Sequence, residues 1–189
     1  MTVNPHYFIG IPIPLDIKEK LIEWQSNLKE DLSYKQWTHE DDFHITVKFL
    51  GSVQSDTVKK LINILRKLDE LPPLSLGLKG IDTFGKPTSP RVLYADVQKT
   101  EALNQLVETV ESYAELCGFD KETRKFKAHI TLAKKWKDHS LTVSIEPITR
   151  TYANESNPFK IDYVNLYQVH PAKNPKYEVI ESFPLNGGS

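Results

Sequence analysis

Two short stretches of the chain have the residue types and spacing for proton chemistry: His44-Ile45-Thr46-Val47 and His129-Ile130-Thr131-Leu132. On a β-strand, residues i and i+2 point to one face and i+1 and i+3 to the other. Each stretch therefore pairs an imidazole with a hydroxyl on one face and two aliphatic side chains on the opposite, buried face. If the polar faces meet, they form a cleft with two imidazoles and two hydroxyls, a combination suited to a phosphate. One histidine can act as general base while the other donates a proton to a leaving group, because an ordinary imidazole pKa near 6.5 makes both states accessible. Threonine hydroxyls can donate to non-bridging oxygens without adding a titrating charge. Strand geometry yields the pair and leaves the order of acid and base open. A lone His-x-Thr is an ordinary sheet feature; the second copy at a matched position turns the reading towards catalysis. Histidine is also a common metal ligand. Neither stretch carries Cys, Asp or Glu on its histidine face, and Glu40, Asp41 and Asp42 lie upstream in a loop, so neither metal nor cofactor is expected.

The surrounding elements repeat as well. A strand through Phe8 stands 36 positions before His44, and one through Leu93 stands 36 positions before His129, each separated from its histidine by a helix. This predicts two similar lobes. Tyr7–Ile11 reads as a strand closed by Pro12 and Pro14. Ile17, Leu21, Trp24 and Leu28 draw a helical stripe. Ser55 as N-cap, with Val58, Leu61, Ile62, Leu65 and Leu68, marks a second helix that Pro72 and Pro73 end. Thr100 to Gly118 marks a third, with Cys117 as core filler. Strands are expected at 43–50, 74–84, 91–97, 129–134, 161–169 and 177–183. Helices alternating with strands, then two strands in succession, predict an α+β fold with mixed or antiparallel sheets.

Composition bounds the function. With 189 residues, 39% hydrophobic and 26% charged, the chain reads as a single domain, with residues 186–189 a flexible end. Twenty-four Lys and Arg against 25 Asp and Glu leave a formal net charge of −1 and no global basic field. Nucleic-acid contact must then be local. One cysteine, no membrane-length apolar run and no signal-like N-terminus predict a cytoplasmic, non-membrane protein.

The sequence resembles the two-histidine phosphoesterase superfamily, and within it the bacterial and archaeal RNA 2′,3′-cyclic phosphodiesterases, formerly called 2′-5′ RNA ligases. The resemblance spans about Tyr7 to Leu185. It rests on the segments Phe43 to Gly51, Pro90 to Tyr94, Phe126 to Lys134 and Val164 to Tyr167, with Tyr177 and Phe183-Pro184-Leu185. It implies a bilobal, pseudo-twofold fold with two antiparallel or mixed sheets facing a central cleft and helices packed outside. It implies hydrolysis of RNA 2′,3′-cyclic phosphate ends to 2′-phosphates without metal, His44 donating to O3′ and His129 activating water, with Thr46 and Thr131 holding the phosphate. Such a protein would work as a monomer. Non-catalytic binding of RNA or nucleotide ends, 2′-5′ ligation and hydrolysis of other cyclic nucleotides would use the same polar face.

Family members carry Arg five residues after the second histidine; here it is Lys134, which keeps the charge but loses the planar fork that matches phosphate. Ala128 replaces the family's proline. Phe49, five residues after the first histidine, resembles the family's base-stacking aromatic, with a core role as the alternative. Strict alternation would turn both Phe49 and Lys134 away from the histidine face, so each needs a bulge, a twist or a strand end to reach the cleft. Between positions 121 and 137, seven cations face only Glu122. This local basic patch is a candidate RNA contact, Arg124 foremost, with Trp136 or Phe126 for stacking. His6, His39, His139 and His170 lack a matching threonine and read as surface or loop residues.

Overall fold

The computed structural model describes residues 4–137 and 144–188. In chain order the elements are β1 (His6–Pro12), α1 (Leu15–Asp31), β2 (Tyr34–Trp37), β3 (His44–Ser52), α2 (Ser55–Leu65), β4 (Leu74–Lys86), β5 (Ser89–Val97), α3 (Glu101–Leu116), β6 (His129–Trp136), α4 (Glu146–Tyr152), β7 (Asn157–Ile161), β8 (Tyr163–Val169) and β9 (Tyr177–Pro184). Short 3-10 turns at Glu40–Asp42 and Arg66–Glu70 precede β3 and follow α2. No helix among the described residues is long and apolar enough to cross a membrane.

The architecture is α+β, and every strand pair is antiparallel. The expected two sheets are the halves β7-β4-β5-β6 and β3-β1-β8-β9, continuous with each other through β3 and β6. That junction has a single register pair, Ile45 opposite Ile130. Beyond it β6 pairs with the short β2 instead, through Tyr34, Gln36 and Trp37. The two motif strands therefore touch near their histidines and then splay apart. Ile45 and Ile130 are fully buried in the core, so the alternating pattern of both motifs holds over their first three residues.

The helices cover that buried face. Ile17, Leu21, Trp24 and Leu28 of α1 are buried, as their spacing predicts. α3 is capped at both ends: Thr100 Oγ1 accepts the Leu103 N–H at 3.2 Å, and Gly118, at φ 90°, lets Phe119 N–H return to Ala114 O. Ser55 is not the cap of α2. It is the first helical residue, and Gln54 occupies the cap position without a side-chain bond.

Three elements escape prediction. The run 161–169 is two strands, since Asp162 carries the chain from β7 at one edge of the sheet to β8 in the other half. β2 is only four residues long and α4 seven, too short to show a period. Asn186, Gly187 and Gly188, expected as a free end, donate backbone hydrogen bonds to Asp69 and Leu71 carbonyls; Ser189 lies outside the described residues.

Lys48 is buried within β3, its Nζ 2.8 Å from Glu111 Oε2 on α3 and 2.9 Å from Asp120 O. Truncation would strand Glu111 as an uncompensated buried charge, which costs more than the pair contributes. Lys48→Ala should destabilise the fold by about 3–5 kcal/mol in denaturant unfolding, while the double variant Lys48→Met/Glu111→Leu recovers most of that loss.

Candidate active site

Both motif strands carry a bulge at the same place. On β1, Ile9 faces Lys48 while the next residue, Gly10, faces Thr46, so Val47 has no partner. On β5, Leu93 faces Ala133 and Tyr94 faces Thr131, so Leu132 has none. An extra residue resets the alternation. From each histidine onward the exposure pattern is the same: half-buried, buried, half-buried, two consecutive buried residues, then an exposed one. The exposed positions are Phe49 and Lys134, returned by the bulges to the histidine face.

His44, Thr46, His129, Thr131, Phe49 and Lys134 all line one cavity of about 260 Å³. Each histidine is held the same way. Nδ1 of His44 lies 2.7 Å from Asp42 O, and Nδ1 of His129 lies 2.7 Å from Lys127 O. A carbonyl only accepts, so each Nδ1 carries a proton and each neutral ring keeps its lone pair on Nε2. Thr46 Oγ1, 2.9 Å from His44 Nε2, can donate to it. Aromatic rings fix the imidazoles: Phe8 at 4.6 Å and Tyr177 at 5.1 Å from His44, Phe84 at 5.1 Å and Tyr94 at 5.2 Å from His129.

That packing sets the protonation states. Burial, reinforced by Lys134 and then His129, pushes the His44 pKa down to about 4 against the favourable Asp42 carbonyl. Burial also lowers His129, with Lys134 and Lys127 acting in the same direction. Lys134 is itself lowered, by desolvation at the cavity wall first and then by Lys176 and Lys135. The cleft thus holds neutral imidazoles beside crowded cations, an environment that favours an anion. No group of three His, Cys, Asp or Glu side chains suited to hold a metal occurs among the described residues.

Several cleft residues have no motif to announce them. Asp42 is buried, and its carboxylate accepts the backbone N–H groups of Lys176 and Tyr177 at 2.9–3.1 Å. It thereby holds the β8–β9 connection where Tyr177 meets His44. Thr38, Phe8 and Val169 also line the cavity. The only available signals were the matched distance from Phe8 to His44 and the position of Asp42 two residues before that histidine.

The basic run 121–137 is not brought together at the cleft. Lys134 enters it. Arg124 is exposed and bonded to Glu122, and does not line the cavity. Lys127 pairs with Asp96 at 2.7 Å. Trp136 is buried against Tyr34, and Phe126 packs partly on the core, so neither offers a free stacking face. Phe49, by contrast, is 61% exposed, which removes it from the core. Of the other histidines, His6 lies near the Phe49 ring, His39 caps the turn before Asp42 and His170 pairs with Glu178; His139 lies outside the described residues.

A family model described as the AKAP7 2′5′ RNA ligase-like domain matches residues 5–185. A protein named RNA 2′,3′-cyclic phosphodiesterase from Geobacillus stearothermophilus is 34% identical over 184 residues, covering 96% of this chain; the chain spans only 58% of that relative's length. A Bacillus subtilis protein of the same name is 33% identical over 185 residues, covering 97% of this chain and 98% of the relative. Among solved structures, Escherichia coli LigT complexed with 3′-AMP superposes with a TM-score of 0.78 at 22% identity, covering 96% of this chain and 98% of that one. TT0787 of Thermus thermophilus follows at 0.77 and 21%, covering 97% and 100%. At these identities the structural likeness establishes the fold.

By NMR titration the His44 ring should remain neutral until the pH falls to about 4. Tyr177→Ala should raise its pKa towards 6.5 by readmitting water. Because the unfolded chain takes up protons at these histidines first, folding stability should be unaffected above about pH 6.5 and decline as the pH falls towards 4.

Proposed function

The chain belongs to the family described as the AKAP7 2′5′ RNA ligase-like domain, and on that basis we propose that it hydrolyses the 2′,3′-cyclic phosphate end of RNA to a 2′-phosphate. The observation that carries this reading is the matched presentation of two imidazoles to one cavity, each pinned through Nδ1 so that Nε2 keeps the lone pair for proton transfer. Relatives named RNA 2′,3′-cyclic phosphodiesterase, and the binding of 3′-AMP by LigT, support the same substrate class.

In this mechanism the cyclic phosphate anion sits between Thr46, Thr131 and Lys134, whose donors neutralise its non-bridging oxygens. His129 Nε2 takes a proton from the attacking water. The new P–O bond forms as P–O3′ breaks, and protonated His44 delivers its proton to O3′, leaving the phosphate on O2′. The incoming anion supplies the attraction that raises the pKa of His44 from its low ligand-free value. Every charge that develops has a side-chain partner, so the step calls for no metal or cofactor. Exposed Phe49 offers the terminal base a stacking surface, and Arg124 is retained as a peripheral RNA contact. The working unit is a monomer built as a single domain from two pseudo-symmetric lobes, acting in the cytoplasm without membrane association.

His44→Ala and His129→Ala should each lower kcat by about 10²–10⁴ on an oligonucleotide with a 2′,3′-cyclic phosphate, while a chelator leaves turnover unchanged. Substantial turnover by either variant would overturn the two-histidine mechanism, and a 3′-phosphate product would overturn the assignment of O3′ as leaving group. A second check is the pH profile. Both histidines are lowered, and one must be protonated in the free enzyme, so kcat/KM should be greatest below pH 6.5 and fall as the pH rises beyond it.

A further inference from the structure

A second cavity, of about 610 Å³, is lined by Lys35, Lys86, Arg91 and Lys135, together with Gly85, Ser89 and the buried Trp136. It meets the cleft along β6, and β4 and β5 reach it beside residues that pack on or pair with cleft residues. Lys135 follows the cleft residue Lys134; Gly85 follows Phe84, whose ring packs on His129; Arg91 precedes Val92, the register partner of Lys134. The Lys135 ammonium acts on that of Lys134 through space, so the cations of the two cavities lie within electrostatic reach of each other.

Its charge is one-signed. All four ionic side chains are exposed cations, no carboxylate lines the cavity, and among the described residues none of the four has an ion pair or a side-chain hydrogen bond. In a chain of net charge −1 this is a local concentration of unneutralised positive charge, which repels itself unless an anion occupies it. The backbone is also strained here. Lys135 is the one non-glycine residue with positive φ among those described, at 62°, and Gly85 has φ 109°. A Cβ at Gly85 would lie 2.8 Å from Arg91 N, so glycine is what brings the β4–β5 turn against β5. A left-handed non-glycine residue kept at the wall of a cationic cavity is strain of the kind that binding sites retain.

We propose that this cavity seats backbone phosphates of the RNA strand leading to the cyclic end, so that the protein selects oligonucleotide ends over mononucleotides. The proposal rests on the cyclic phosphodiesterase reading and extends it to the substrate's length. Binding of several phosphates by unpaired cations would make recognition of the strand salt-dependent even though the whole chain is nearly neutral.

The test uses the triple variant Lys35→Gln/Lys86→Gln/Arg91→Gln, at three exposed positions outside the catalytic cleft. Two substrates are compared, a nucleoside 2′,3′-cyclic monophosphate and a hexaribonucleotide ending in a 2′,3′-cyclic phosphate. Binding of a labelled hexaribonucleotide with a plain 3′-hydroxyl is measured separately by fluorescence anisotropy. The variant should lose tenfold or more in kcat/KM on the oligonucleotide, mainly through KM, with mononucleotide turnover unchanged. The slope of log affinity against log salt should flatten by about 2, roughly 0.7 for each charge removed. Equal loss on both substrates, or unchanged oligonucleotide KM and affinity in a variant that still hydrolyses, would overturn the phosphate track and leave the hydrolase reading standing. If the wild-type protein turns over neither substrate but the variant loses oligonucleotide binding, the hydrolase reading falls and the phosphate track survives.

Discussion

Each motif strand must break the two-residue alternation of a β-strand between its histidine and the fifth residue beyond it, and the break has to be held from outside the ladder. A skipped residue leaves a backbone carbonyl without its ladder partner and turns two successive side chains into the core. At Leu132 the carbonyl is taken up by the Thr38 N–H and by the buried Gln25 amide, each at 2.9 Å. At the matching bulge on β3 the extra inward residue is Lys48, neutralised by Glu111. The braces cross over: Gln25 comes from α1, which precedes the first motif, and supports the second, while Glu111 comes from α3, which precedes the second motif, and supports the first. Each half therefore holds the other half's bulge in shape. Phe49 and Lys134 reach the cleft only because this reciprocal support exists.

The same economy governs the histidines. Carbonyls at Asp42 and Lys127 settle which nitrogen of each ring bears the proton, and aromatic neighbours exclude water and restrict rotation. The environment is not symmetric. His44 lies against Phe8 and Tyr177, with Tyr167 behind them at 6.0 Å, whereas among the described residues His129 has Phe84 and Tyr94 about it. Deeper burial gives His44 the lower pKa. Asp42 joins both effects, because its carbonyl orients His44 while its carboxylate fixes the backbone that carries Tyr177.

The cleft itself follows from sheet geometry. With one register pair between β3 and β6, the two halves are continuous enough to share one hydrophobic core yet diverge within a few residues. β2 takes the edge of β6 that β3 leaves, which satisfies its backbone groups and places Thr38 at the cavity wall. A fuller β3–β6 ladder would close the space that the two imidazoles face.

The sequence by itself determined the paired His-x-Thr faces, the α+β class and the stripes of three helices, because each is written in residue type at a period of 2 or 3.6. It also determined that Phe49 and Lys134 could reach the cleft only through a bulge or an equivalent break. Which break operates was decided by tertiary structure, since a bulge is a mismatch between two strands and neither strand records it alone. The same holds for Asp42, whose partners lie 134 and 135 positions away, and for Gln25, whose partner lies 107 away. Arg124 shows the converse. Its charge and its position near His129 are plain in the sequence, but the fold turns it outward to Glu122 and leaves the unpaired cations at Lys35, Lys86, Arg91 and Lys135, gathered from four strands. Charge is a property of a residue, whereas a field is a property of an arrangement, and only packing brings cations from distant strands to one wall.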